Sequence, residues 1–285
     1  MKIIKSIVEM REYASALKAD GKSVGLVPTM GALHAGHLSL LARVRDFCDK
    51  SVMSVFVNPT QFGPAEDFAK YPRDLGRDCG LAESAGCDCV FAPSAEEMYP
   101  EGYGVGVSVG PIGDTLCGAA RPGHFNGVAT VVLKLFNIVS PQAAVFGAKD
   151  AQQVAVIKRV VADLNVPVRV ITAPIVREAD GLAMSSRNVY LTRPERERAA
   201  NISKSLFEAK ALFEGGEQSV ERIKERVASI INGALMKTEY VEIVDPASLR
   251  PFDKVIDGAA LIAVACRTLE SKTRLIDNIV VDCLH

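Results

Sequence analysis

Residues 24–40 read VGLVPTMGALHAGHLSL, and this stretch decides how the rest of the chain is read. An apolar, β-branched run gives way to Pro28, Gly31 and Gly36, and then to an apolar run spaced like a helix, with Leu38, Leu41 and Val44 on one face. A buried strand over 23–27 followed by a helix over 37–50 is the predicted pair. Between them stand His34 and His37, three apart and so on one face of the first helical turn. Glycines there let backbone approach a ligand, and the helix start offers unpaired N–H groups and about half a positive charge to an anion. The imidazoles could donate to phosphate oxygens, or they could simply be partly exposed helix-start residues. Zinc is the weakest reading, since no HExxH pattern and no nearby third ligand accompany the pair.

Working outward, the strand–helix alternation continues. Strands are predicted at 51–57, 89–92, 143–146 and 168–173, and helices at 75–85, 125–139 and 152–164. This is the signature of a Rossmann-like, doubly wound parallel sheet of the α/β class. Beyond residue 177 the pattern changes to two charged helical runs within 194–236, separated by EGGEQS, and then to strands at 240–244, 259–266 and 276–281. The expected organisation is a domain over 1–177 and a smaller α+β domain over 178–285.

Composition sets the frame. A chain of 285 residues with a net charge of -1 advertises neither a nucleic-acid surface nor an anionic-membrane one. At this length roughly 75% of the unfolded surface is buried without a staple. The seven cysteines show neither zinc spacing nor a disulfide pattern, and read as small thiols in a reducing compartment. The amino-terminal MKIIKSIVEMREY lacks the apolar core of a signal peptide, and no apolar run approaches ~20 residues, so a cytoplasmic location is expected.

Open α/β sheets bind ligands beyond the carboxyl ends of their strands. After the second predicted strand comes NPTQF; Asn58 and Pro59 are ordinary turn chemistry, whereas Gln61 is not explained by a turn. After AAVFG comes AKDAQQ, where Lys149 could meet phosphates as a point charge. Asp150 and Gln153 fit a capping box as well as a ligand site. After VRVITA comes PIVREADGLAMSSRNVYL, whose Ser185, Ser186 and Arg187 are small, hydroxylated and basic, as a phosphate clamp would be.

A histidine pair followed about 150 residues later by a Met-Ser-Ser-Arg loop has the order of the HIGH/KMSKS nucleotidyl-transfer superfamily. Within it, PTMGALHAGHLSL, FVNPTQFGPAEDFAKYPR, RPGHFNGVATVVLKLFNIVSPQAAVFGAKDAQQ and READGLAMSSRNVYL together closely resemble the pantothenate synthetase (pantoate–β-alanine ligase) family. The resemblance runs the length of the chain. It departs at Ala148, where the family commonly carries an acidic residue in its GxKD segment.

The resemblance implies that pantoate and ATP form pantoyl adenylate and pyrophosphate, and that β-alanine then yields pantothenate and AMP. It implies an ATP site made of Met30, Gly31, Ala32, Leu33, His34, Ala35, Gly36 and His37, of Gly147, Ala148, Lys149 and Asp150, of Val176, and of Met184, Ser185, Ser186 and Arg187. His37, His34, Lys149 and Arg187 are the implied catalytic groups. Gln61 would contact pantoate and β-alanine, and Gln153 pantoate. Mg²⁺ would accompany ATP, the chain would form a homodimer, and the second domain would act as a lid. The rivals are a related nucleotidyltransferase that adenylylates a phosphate ester, an aminoacyl-tRNA synthetase and a nucleotide-sensing module. The first of these would need a basic pocket where NPTQF offers amides.

Overall fold

The computed structural model describes residues 1–64 and 66–282. The chain divides into two compact units. Unit 1 comprises residues 1–114, 118–148 and 156–174; unit 2 comprises 115–117, 149–155 and 175–285. The sequence pattern placed one boundary after 177 and carried no sign of the two short excursions.

Unit 1 is built on six parallel strands, β1 (Lys2–Ile4), β2 (Val24–Thr29), β3 (Lys50–Val55), β4 (Cys89–Phe91), β5 (Ala143–Gly147) and β6 (Arg169–Ala173). Their order across the sheet is β1-β4-β3-β2-β5-β6, with every pairing parallel. The order reverses at β2, which lies between β3 and β5, so the switch point falls at the strand that leads into the glycine–histidine loop. Helices α1 (Ile7–Ala19) and α6 (His124–Val139) pack on one another, while α2 (Ala35–Val44) and α3 (Leu75–Ser84) cover the sheet through Val27, Met53, Val90 and Val145. Gly25 is required there: a Cβ would lie 2.3 Å from Val44 Cγ2. Two short helices, α4 (Ala95–Met98) and α5 (Cys117–Ala120), lie between β4 and α6 in the chain, and α7 (Ala151–Asp163) joins β5 to β6.

Several expectations shift. The helix predicted over 37–50 runs from Ala35 to Val44. Arg45 is its C-cap, and Asp49 accepts from Ser23 N and Oγ just before the chain enters β3. Strand β1 and helix α1 were not foreseen. A three-residue strand is too short to establish a period, and α1 buries only Met10 and Ala14.

Unit 2 contains α8 (Arg193–Glu214), α9 (Val220–Gly233) and the antiparallel sheet β7-β8-β9, formed by Met236–Val244, Ala260–Thr268 and Arg274–Val281. Its core joins Ile202, Leu206, Ile223 and Val227 of the helices to Ile243, Ile262 and Val264 of the sheet. Glu195, 3% exposed, accepts from the amides of Thr192, Glu270 and Ser271, which ties the start of α8 to the β8–β9 turn. Burial alone would push its carboxyl up, but the three amides and the Ser271 hydroxyl hold it down at about 2.

No helix among the described residues is long and apolar enough to cross a membrane. Six cysteines are free and buried, as the composition suggested; Cys283 lies outside the described residues.

Candidate active site

The loop from Met30 to His37 leaves the end of β2 with Gly31 at φ +81° and Ala32 at φ +50°. Asp78, 1% exposed on α3, accepts from Ala32 N at 2.9 Å and Leu33 N at 2.8 Å. Gly31 leaves room for that carboxylate, since a Cβ would stand 2.7 Å from Asp78 Oδ2. The left-handed turn is thus held by two charge-assisted bonds from a buried side chain.

His34 is the N-cap of α2, and its Nδ1 accepts from Gly36 N at 3.1 Å. His37 Nδ1 accepts from His34 N at 3.4 Å, a longer bond that completes a capping box made of two histidines. The ring centroids are 4.1 Å apart. A ring nitrogen that accepts carries no hydrogen, so each neutral imidazole holds its proton on Nε2. Nδ1 of each ring builds the helix start, so the helix-start reading of the pair is met without using Nε2.

Gln61 follows β3 in a 3₁₀ turn, Pro59–Gln61, and is 8% exposed. Asn58 donates from Nδ2 to Gln61 Oε1 at 3.0 Å and to Gly127 O at 3.2 Å, while its Oδ1 accepts from the Tyr99 hydroxyl at 2.6 Å. Burial raises the Tyr99 phenol above its ordinary range and keeps it a donor. Because Oε1 is the acceptor, Gln61 Nε2 is the donor end, and it reaches Met30 Sδ at 3.2 Å. The end of β3 and the loop after β2 thereby meet. Gly127 permits the contact, since a Cβ would stand 2.4 Å from Thr60 O and 2.8 Å from Gln61 Cα.

The backbone of Gln61 is held as well. His124 Nδ1 donates to Gln61 O at 2.8 Å, which leaves Nε2 to accept from Arg121 Nη1 at 3.0 Å. Arg121 also donates to Glu66. Burial pushes the Glu66 carboxyl up, but the Arg121 bonds and charge outweigh it and hold the group below its usual range. Asp78, Tyr99, Arg121 and His124 carried no assignment in the sequence, and Asn58 was read as turn chemistry. The RPGHF segment that contains Arg121 and His124 was legible as a motif only.

Gly147 closes β5 and Ala148 follows it in unit 1, whereas Lys149, Asp150, Gln153, Val176 and Met184 to Arg187 belong to unit 2. Residues Ala148–Asp150 form a 3₁₀ turn that runs directly into α7. There Gln152 is bound into the fold: it accepts from Cys117 N at 2.9 Å and donates to Thr115 O at 2.8 Å. Val176 and Met184 come together, with Met184 N donating to Val176 O at 3.0 Å. Ser185 caps the turn Ser186–Tyr190, its Oγ accepting from Arg187 N at 3.3 Å. Asn188 Nδ2 donates to Glu178 Oε1 at 3.1 Å, and Arg196 of α8 binds both Glu178 and Asp180.

A doubly wound sheet with a helix start at its switch point is the arrangement in which α/β folds bind ligands. A family model described as Pantoate-beta-alanine ligase matches residues 2–280, and the chain belongs to that family. Pantothenate synthetases of Heliobacterium modesticaldum and Fervidobacterium nodosum are 55% and 53% identical to it, each alignment covering 99% of this chain and 100% of the relative. The crystal structure of pantothenate synthetase from Thermus thermophilus matches with a TM-score of 0.91 at 46% identity, covering 98% of this chain and 99% of that one. The Francisella tularensis pantoate-beta-alanine ligase, complexed with beta-gamma ATP and beta-alanine, matches with a TM-score of 0.81 at 33% identity, covering 98% and 97%.

Proposed function

We propose that this chain carries out the ATP-dependent joining of pantoate to β-alanine through pantoyl adenylate. A pantoate carboxylate oxygen attacks the α-phosphorus of ATP, the bond to the β,γ-diphosphate breaks, and pyrophosphate leaves. The β-alanine amine then attacks the acyl carbon, losing a proton as AMP departs with the former carboxylate oxygen. The observation that carries this reading is the histidine capping box, which sets Nε2–H of His37 as a donor at a helix start.

Negative charge grows on the α-phosphate oxygens during the first step, and preoriented donors lower that barrier. His37 supplies one such donor and His34 binds beside it, while the amides of 30–37 complete the cradle. Lys149 and Arg187 neutralise the outer phosphates, with Gly147 to Asp150, Val176 and Met184 to Ser186 along the nucleotide. Gln61 Nε2 donates to pantoate oxygens, and its neighbourhood receives β-alanine; Gln153 binds pantoate from α7. The domain after residue 177 serves as a lid that shields the acyl adenylate from water.

Among the described residues no group of three or more His, Cys, Asp or Glu side chains could hold a metal ion. Mg²⁺ would accompany ATP and neutralise part of the triphosphate charge. The cytoplasm and a homodimer complete the proposal; sedimentation of the purified chain tests the second.

Pantoate-dependent exchange of labelled pyrophosphate into ATP tests the reaction. Exchange should require pantoate and should not be supported by other carboxylates or by phosphate esters. Exchange without pantoate would overturn the reading.

A further inference from the structure

We propose that Asp277 and Asn278 of β9 are positioning residues for ATP, holding two nucleotide-binding segments from one edge strand. The proposal rests on the reading of residues 147–150, 176 and 184–187 as those segments.

Successive residues on a strand point to opposite faces, so this adjacent pair can grip different elements. Asn278, 6% exposed, donates from Nδ2 to Lys149 O at 2.9 Å, fixing the peptide from which the Lys149 ammonium projects. Asp277, 2% exposed, takes Arg177 in a bidentate pair: Nη1 to Oδ2 at 2.6 Å and Nη2 to Oδ1 at 3.0 Å. Asp277 Oδ1 also accepts from Asn278 N at 2.8 Å, which locks the two side chains into one arrangement. Arg177 adjoins Val176 and donates from Nη1 to Gly181 O at 3.1 Å, closing the turn that returns the chain to Met184. Its guanidinium also lies over the Phe207 ring, 5.3 Å from the centroid. A bidentate arginine pair fixes orientation as well as distance. The strand thus sets the backbone of Lys149 on one side and the 176–184 hairpin on the other.

None of these side chains needs to touch the nucleotide. Their effect is on the placement of groups that do, and the test separates placement from stability. Asn278→Asp replaces the amide donor with an acceptor that faces Lys149 O. In pantoate-dependent pyrophosphate exchange we expect its KM for ATP to rise about 10-fold, the scale of one lost hydrogen bond. Aminolysis of synthetic pantoyl adenylate by β-alanine should change by less than about threefold, because the Lys149 ammonium, whose peptide Asn278 holds, is assigned to outer phosphates that the adenylate lacks.

Asn278→Gln, which retains an amide donor on a longer arm, should recover part of the ATP KM. Should Asn278→Asp fail to fold, Asp277→Asn is read by the same split between half-reactions. A wild-type ATP KM in the folded variant, or equal losses in both half-reactions, would overturn the proposal. Absence of pantoate-dependent exchange in the unmodified chain, or no effect of Lys149→Ala on it, would instead overturn the reading on which it rests.

Discussion

The 30–37 loop of unit 1 and the 176–188 loop of unit 2 are both tied down by carboxylates, but in different surroundings. Asp78 is 1% exposed and grips two backbone amides. Glu178 and Asp180 have side chains 31% and 42% exposed and share Arg196, itself 28% exposed. A buried carboxylate on amides is shielded from salt and orphans its partners if removed. Half-exposed ion pairs are screened and contribute little each. The turn of unit 1 is thus held by a buried carboxylate on amides, whereas in unit 2 a buried pair, Arg177–Asp277, anchors the start of the loop and the softer Arg196 pairs hold the stretch beyond it.

Removing Asp78 should break the comparison most severely. Asp78→Ala leaves two amides without their acceptor, at about 1–3 kcal/mol each, so unfolding stability should fall by about 2–6 kcal/mol. Chemical denaturation measures this, and exchange activity should fall with the loop's order.

Unit 2 uses buried carboxylates too: Asp277 on Arg177 at the start of the loop, and Glu195 at the root of α8. The folded value of Glu195, near 2, lies below the ordinary 4.5, so its stabilisation is complete above about pH 4.5 and is lost as pH falls toward 2. The shift corresponds to about 3 kcal/mol. Unfolding free energies of wild type and Glu195→Gln, compared across that window, should converge at the acid end.

Gly127→Ala is a milder perturbation of unit 1. The added methyl meets Thr60 O and the Gln61 backbone, an overpacking cost of about 1–3 kcal/mol, and it displaces the residue assigned to pantoate. The KM for pantoate should rise about 10-fold, with that for ATP little changed.

The smallest expected effect belongs to Arg196. Its pairs contribute about 1 kcal/mol or less, so added salt should weaken hydrogen-exchange protection of the Met184 amide, which binds Val176 O. Protection at Ala32 and Leu33 should not respond. Equal salt dependence at both places would remove the distinction between the loops.

The sequence made the strand ends legible because buried parallel strands and amphipathic helices carry local periods. His34, His37, Gln61 and Arg187 were legible because polar groups at strand ends stand out against apolar runs. What holds them was not. Asp78 sits in RDLGRDCGLAES, which reads as a charged helix surface, and its partners are the amides of Ala32 and Leu33, far away in sequence. Asn58 looked like turn chemistry and does cap its turn, while its amide nitrogen also orients Gln61. Asp277 and Asn278 lie in a strand whose period says only which faces they occupy. Long-range bonds to backbone leave no periodic trace.

The central claim is that His37 uses one ring nitrogen to cap α2 and the other to do chemistry. Asparagine places an amide oxygen near the Nδ1 position, and glutamine places an amide nitrogen near Nε2. Pantoate-dependent exchange by His37→Asn and His37→Gln, read beside their thermal unfolding, therefore separates the two roles. His37→Asn should keep a near-wild-type midpoint and lose on the order of 10²-fold in exchange, while His37→Gln should unfold earlier and retain more of the rate. Wild-type exchange in the asparagine variant would contradict the account.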